Sequence, residues 1–121
     1  MADTANRSAF VGCIETGDFG LVRSVLEAWF GAPLKVKVKL TGEQLTSDDG
    51  TRSIYCYRAF TTNPSYEEFL IEGRVNLDLE ECRKQLETLV AAFNSHGVTS
   101  GFDYHEIDEA GETSGEQHSL P

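Results

Sequence analysis

Leu79, Cys82, Leu86, Leu89, Val90 and Phe93 recur at spacings of three and four residues, which places all six on one stripe of an α-helix. Such a stripe is stable in water only when it lies against another apolar surface, so the rest of the chain must supply one. The ends of the segment carry their own signals. Asp78 precedes the stripe and Glu81 follows three positions later, the order of a capping box. Glu80 and Glu81 sit in the first turn, where the helix dipole favours anions, and Gly97 suits a left-handed terminus. The pattern predicts a helix over 79–96.

The apolar surface facing that helix is expected from alternating runs. In 66–77, Phe69, Ile71, Val75 and Leu77 point one way while Glu68, Glu72, Arg74 and Asn76 point the other, with Leu70 the exception and Gly73 a candidate bulge. In 34–40, Leu34, Val36, Val38 and Leu40 read as inward and Lys35, Lys37 and Lys39 as outward. The run 52–61 is rich in β-branched and aromatic residues, and 42–51 reads as the loop of a hairpin joining it to 34–40. Asn63, Pro64 and Ser65 supply a turn, and 98–107 follows the long helix as a fourth strand.

Towards the N-terminus, Val22, Val25, Leu26, Trp29 and Phe30 form a second helical stripe, capped by Asp18 and closed by Gly31 and Pro33. Phe10, Cys13 and Ile14 before it fit a short helix slightly better than the alternative, a strand through 9–14. Residues 17–27 resemble the helix-turn-helix part of an ankyrin repeat. There is no second copy and no Thr-Pro-Leu-His segment, so the resemblance implies a shared hairpin solution rather than kinship. Together these elements predict an α+β fold: a two-layer sandwich of about four mostly antiparallel strands with helices on one face, ferredoxin-like in character. One domain is expected over 8–108, between flexible tails at 1–7 and 109–121.

The chain has 20 acidic and 10 basic residues, a net charge of −10. A field of that sign repels phosphate backbones, which argues against nucleic acid and favours a basic protein partner. The acidity is polarised: 101–121 holds no lysine or arginine, whereas Lys35, Lys37, Lys39, Arg52 and Arg58 outnumber the acids in 34–65. No basic-then-apolar leader and no membrane-length apolar run occur, so a cytoplasmic protein without membrane contact is expected. Cys13, Cys56 and Cys82 are widely spaced and read as reduced, largely buried thiols.

Catalytic signals are weak. Asp18-Phe19-Gly20 spells the kinase magnesium tripeptide without any other kinase part. Asp103 and His105 share a strand face, but nothing nominates further metal ligands, and charges that guard an edge strand against aggregation are the better explanation. No nucleophile elbow, Walker loop, zinc-protease motif or dinucleotide fingerprint is present, so no metal, cofactor or catalytic residue is assigned. The richer feature is the outward sheet face, where Lys35, Lys37, Lys39, Tyr55, Tyr57, Leu70, Glu72 and Arg74 are expected together. The resulting expectation is a small acidic, non-enzymatic binding protein (an adaptor, inhibitor or immunity-type partner) acting by protein–protein interaction. Two alternatives stand beside it: a small enzyme or ligand-binding domain with a pocket between helix and sheet, and a homodimeric structural module.

Overall fold

A computed structural model describes residues 7–40, 42–59, 67–107 and 117–120. The chain runs β1 (Ser8–Ile14), α1 (Phe19–Phe30), β2 (Lys35–Lys39), β3 (Gly42–Asp48), β4 (Arg52–Arg58), β5 (Phe69–Val75), α2 (Leu79–Asn94), β6 (Ser100–Glu106) and β7 (His118–Leu120). All seven strands form one sheet in the order β2-β3-β4-β5-β1-β6-β7, and every neighbouring pair is antiparallel.

The four-strand, ferredoxin-like expectation is therefore wrong, and the three strands it lacks show why. Residues 9–14 form no helix. β1 lies inside the sheet, with all seven of its residues paired to β5 on one side and β6 on the other. Phe10 and Ile14 are four residues apart, a separation that fits the helical period and the strand period alike. Because 8–14 is strand, 17–27 is not a helical hairpin either, and the ankyrin-like stretch contains only α1. The expected hairpin loop over 42–51 is mostly β3, which pairs with β2 and β4. Its sequence, Gly-Glu-Gln-Leu-Thr-Ser-Asp, has one apolar residue, so the period of two is invisible; yet that residue, Leu45, is completely buried. β7 forms where a tail is expected and adds to the edge beside β6. The turn expected at Asn63–Ser65 lies outside the described residues.

The two helices form as their stripes dictate. Asp18 accepts from the Leu21 N–H at 3.1 Å and Asp78 from the Glu81 N–H at 2.9 Å, each satisfying a free amide of a first turn. Gly31 (φ 83°) and Gly97 (φ 75°) take the left-handed backbone that follows α1 and α2. Val22, Val25, Leu26 and Phe30 of α1 are buried, as are Cys82, Leu86, Leu89 and Phe93 of α2. The helices touch each other through Trp29, whose indole N–H donates to the Gln85 carbonyl at 2.9 Å.

Five phenylalanines (Phe10, Phe30, Phe69, Phe93 and Phe102) fill the space between helices and sheet. Phe10 stands edge-on to both Trp29 and Phe102, with ring centroids 6.1 Å apart in each case. These rings need gaps in the sheet. A Cβ at Gly73 would lie 2.6 Å from Phe10 Cζ, and one at Gly12 would lie 2.3 Å from Phe102 Cδ1. Gly73 is thus no bulge, since the registers with β1 and β4 run through it unbroken; it is a seat for an aromatic ring.

The inward reading of 34–40 fails beyond its first residue. Leu34 is 5% exposed, but Val36 is 37% and Val38 77% exposed, because the helical layer does not reach the β2 edge.

Replacing Gly73 with alanine is predicted to lower unfolding free energy by about 1–3 kcal/mol, the usual cost of overpacking a filled core. A urea midpoint unchanged from the parent chain would contradict this account of the aromatic layer.

Candidate binding face

Strand pairing sorts side chains into two faces. Residues paired to the buried Leu45, Cys56, Ile71 and Phe102 lie on the helix side, and their alternates lie on the other. The other side is uncovered, in that no described helix or strand lies over it, and it presents Lys37, Gln44, Tyr57, Leu70 and Cys13 in one row. The next row holds Lys35, Thr46, Tyr55, Glu72, Val11 and Asp103, and a third holds Asp48, Ser53, Arg74, Ala9 and His105. Lys39 extends the β2 side. All eight residues nominated from the sequence therefore share this face: Lys35, Lys37, Lys39, Tyr55, Tyr57, Leu70, Glu72 and Arg74.

Their packing gives the face a relief. The Tyr55 and Tyr57 rings stack with centroids 5.0 Å apart and planes 30° off parallel. Val11 is 46% exposed although it sits in a central strand. A depression of about 600 Å³ runs past Lys35, Thr46, Tyr55, Arg74 and His105. A second, of about 470 Å³, continues past Tyr57, Leu70, Cys13 and Asp103, and the two share Val11 and Glu72. The uncovered side is thus a continuous concave surface with an aromatic and aliphatic middle.

Sequence reading missed Val11, Ala9 and Cys13, because β1 was read as a short helix. The signal was present: Ser8, Phe10, Gly12 and Ile14 alternate with them. Gln44 and Thr46 were lost with β3. Asp103 and His105 join the face, and Asp103 accepts a hydrogen bond from the Ser119 hydroxyl at 2.6 Å. Among the described residues, no cluster of three or more His, Cys, Asp and Glu is placed to hold a metal ion.

Charges on the two sides are used differently. On the helix side, β4 carries an arginine at each end. Arg52 lies over the Phe30 ring at 4.3 Å and donates to the Phe30 carbonyl, at the negative end of α1. Arg58 lies over the Phe69 ring at 4.6 Å, donates to the Gly17 carbonyl ahead of α1 and pairs with Glu43 at 2.8 Å. That hydrogen-bonded pair holds the Glu43 carboxyl below its ordinary range and raises Arg58. Glu27 is lowered chiefly by the Leu34 N–H and secondarily by Arg23. On the uncovered side, by contrast, Lys35, Lys37, Lys39, Glu72 and Arg74 enter no ion pair among the described residues.

The cysteines offer no activated nucleophile. Cys13 lies half-buried on the uncovered face rather than on a core stripe. Burial, then its hydrogen bond to Glu68 and that carboxylate's charge, push its thiol up to about 12. Burial raises Cys56 to about 12 and Cys82 to about 11. Such thiols stay protonated near neutral pH, and the thiol is the unreactive form.

A scan against protein-family models finds no match to this chain, and a search of curated proteins finds none either. The assignment therefore has to come from the face itself.

The thiol shifts predict an alkaline limit to stability. Unfolded thiols ionise near their ordinary value of 9.0, whereas the folded ones hold their protons to about 11 or 12. Their contribution is complete below pH 9.0 and declines as pH rises from there, because the unfolded chain then binds fewer protons than the native one. Urea midpoints measured up that range should fall, and fall less steeply for Cys13→Ser. An identical slope in the variant would contradict the Cys13 assignment.

Proposed function

We propose that this protein is a non-enzymatic protein-binding module that docks its partner on the uncovered sheet face. The observation that carries the reading is the contrast in charge use. Arg52 and Arg58 are committed to internal contacts, while the lysines, Glu72 and Arg74 around the stacked tyrosines enter no ion pair among the described residues. Burying such a face against a complementary protein would desolvate Tyr55, Tyr57, Leu70 and Val11. It would also offer the free charges at the rim their counterions. Aromatic residues surrounded by a polar rim are the composition that interface cores favour.

The face is mixed in sign, with Lys35, Lys37, Lys39 and Arg74 beside Asp48, Glu72 and Asp103. The net charge of −10 therefore acts mainly on approach. It steers a partner with an overall basic surface, and local pairing at the face sets orientation. No described helix is long and apolar enough to cross a membrane.

The test is site-specific photocross-linking in a native lysate. A photoreactive phenylalanine analogue at Tyr57 is expected to capture a protein, whereas the same group at Thr88, on the exposed side of α2, should not. Tyr57→Ala should then weaken the isolated complex by about 2 kcal/mol, the scale of an aromatic anchor. Capture from Thr88 but not from Tyr57 would transfer the docking role to the helical layer and refute the proposal.

A further inference from the structure

The β2 edge has properties that the docking face does not explain. It is one of the two edge strands, every one of its five residues is exposed, and no described strand lies beyond it. Its outer row of backbone N–H and C=O groups is thus open to a further strand. Its side chains are sorted by sign and polarity. Lys35, Lys37 and Lys39 point to the uncovered face, while Val36 and Val38 point to the helix side, 37% and 77% exposed. Leu40, next along the chain, is fully exposed.

Lysines on an edge guard against aggregation, and here they do so selectively. A second copy adding its own β2 would bring two lysine rows side by side, with like charges opposed across the pair. An incoming strand with carboxylates on that face meets the opposite situation. Its acidic residues would face Lys35, Lys37 and Lys39, and its alternate residues, if aliphatic, would cover Val36, Val38 and Leu40. None of the three lysines has an ion-pair partner among the described residues, so no existing contact has to break.

We infer that β2 is a strand-addition site for an extended protein segment that alternates carboxylates with aliphatic residues. The backbone ladder would supply affinity and the alternation specificity. This rests on the protein-binding reading only in taking a polypeptide as occupant; it uses the sheet edge, not the tyrosine-centred face.

The test titrates the isotope-labelled full chain with two short end-blocked peptides, one alternating glutamate with valine and the other lysine with valine. The glutamate peptide is expected to shift the amides of residues 35–39 and to bind at least about tenfold more tightly, as three favourable cross-strand charge pairs imply. The triple variant Lys35→Glu, Lys37→Glu, Lys39→Glu should reverse that preference, and Val38→Glu should weaken the glutamate peptide. Equal binding of both peptides, no shift at 35–39, or shifts centred on Tyr55 and Tyr57 would each overturn the inference. So would concentration-dependent protection of β2 without peptide, which would make a second copy the occupant. The peptides are read in Tyr57→Ala as well: peptide binding retained there while the isolated complex is weakened separates failure of the face from failure of the edge.

Discussion

Two helices cannot cover seven strands. Neighbouring strands lie about 4.8 Å apart, so the sheet is about 29 Å wide between its outer strands. A packed helix is roughly 10 Å across with its side chains, so a pair shields about four strands' width on a single face. Two exposures follow. One face of the sheet has no layer above it among the described residues, and on the covered face the β2 edge extends past the shelter of α1. Val11 in a central strand and Val38 in an edge strand are solvent-exposed for these two separate reasons.

What the helices do cover is fastened with unusual economy. Arg52 and Arg58, at opposite ends of β4, each stack on a phenylalanine ring and donate to a backbone carbonyl at or just before an end of α1. A cation near a helix C-terminus and a cation paired with a carboxylate are both favourable there, so the positive charges of β4 serve to place α1. The glycines at 12 and 73 complete the arrangement by leaving room for Phe102 and Phe10 to pack directly over the sheet backbone. Internal needs are thereby met without drawing on the lysines of β2 or on Glu72 and Arg74 of β5. Those residues of β2 and β5 face outward together.

Both helices, their caps, β5, β6 and the two-sided alternation of β4 were legible in the sequence, because each carries several apolar residues at one period. The strands that escaped had too few. Leu45 alone marks β3 and Leu120 alone marks β7, and a single point defines no period. β1 was ambiguous for the opposite reason, since Phe10 and Ile14 satisfy both periods; the deciding fact is long-range pairing with β5 and β6, which no local window contains. The eight candidate face residues were nonetheless assembled correctly onto one side. Alternation fixes a residue's side within its own strand, and that survives an error in strand number. The inward assignment of Val36 and Val38 failed because a strand's apolar side is buried only where a second layer extends to it.

The claim on which the docking proposal depends is that the sheet face is uncovered in the full chain in solution. A soluble paramagnetic probe added to the isotope-labelled protein measures this directly. The ring and methyl signals of Tyr55, Tyr57, Leu70 and Val11 should broaden strongly, while those of Ile54, Ile71 and Leu45 on the helix side should not. Protection of the tyrosines and Val11 equal to that of Ile71 would show that another part of the chain, or a second copy, already lies across the face, and would contradict the account.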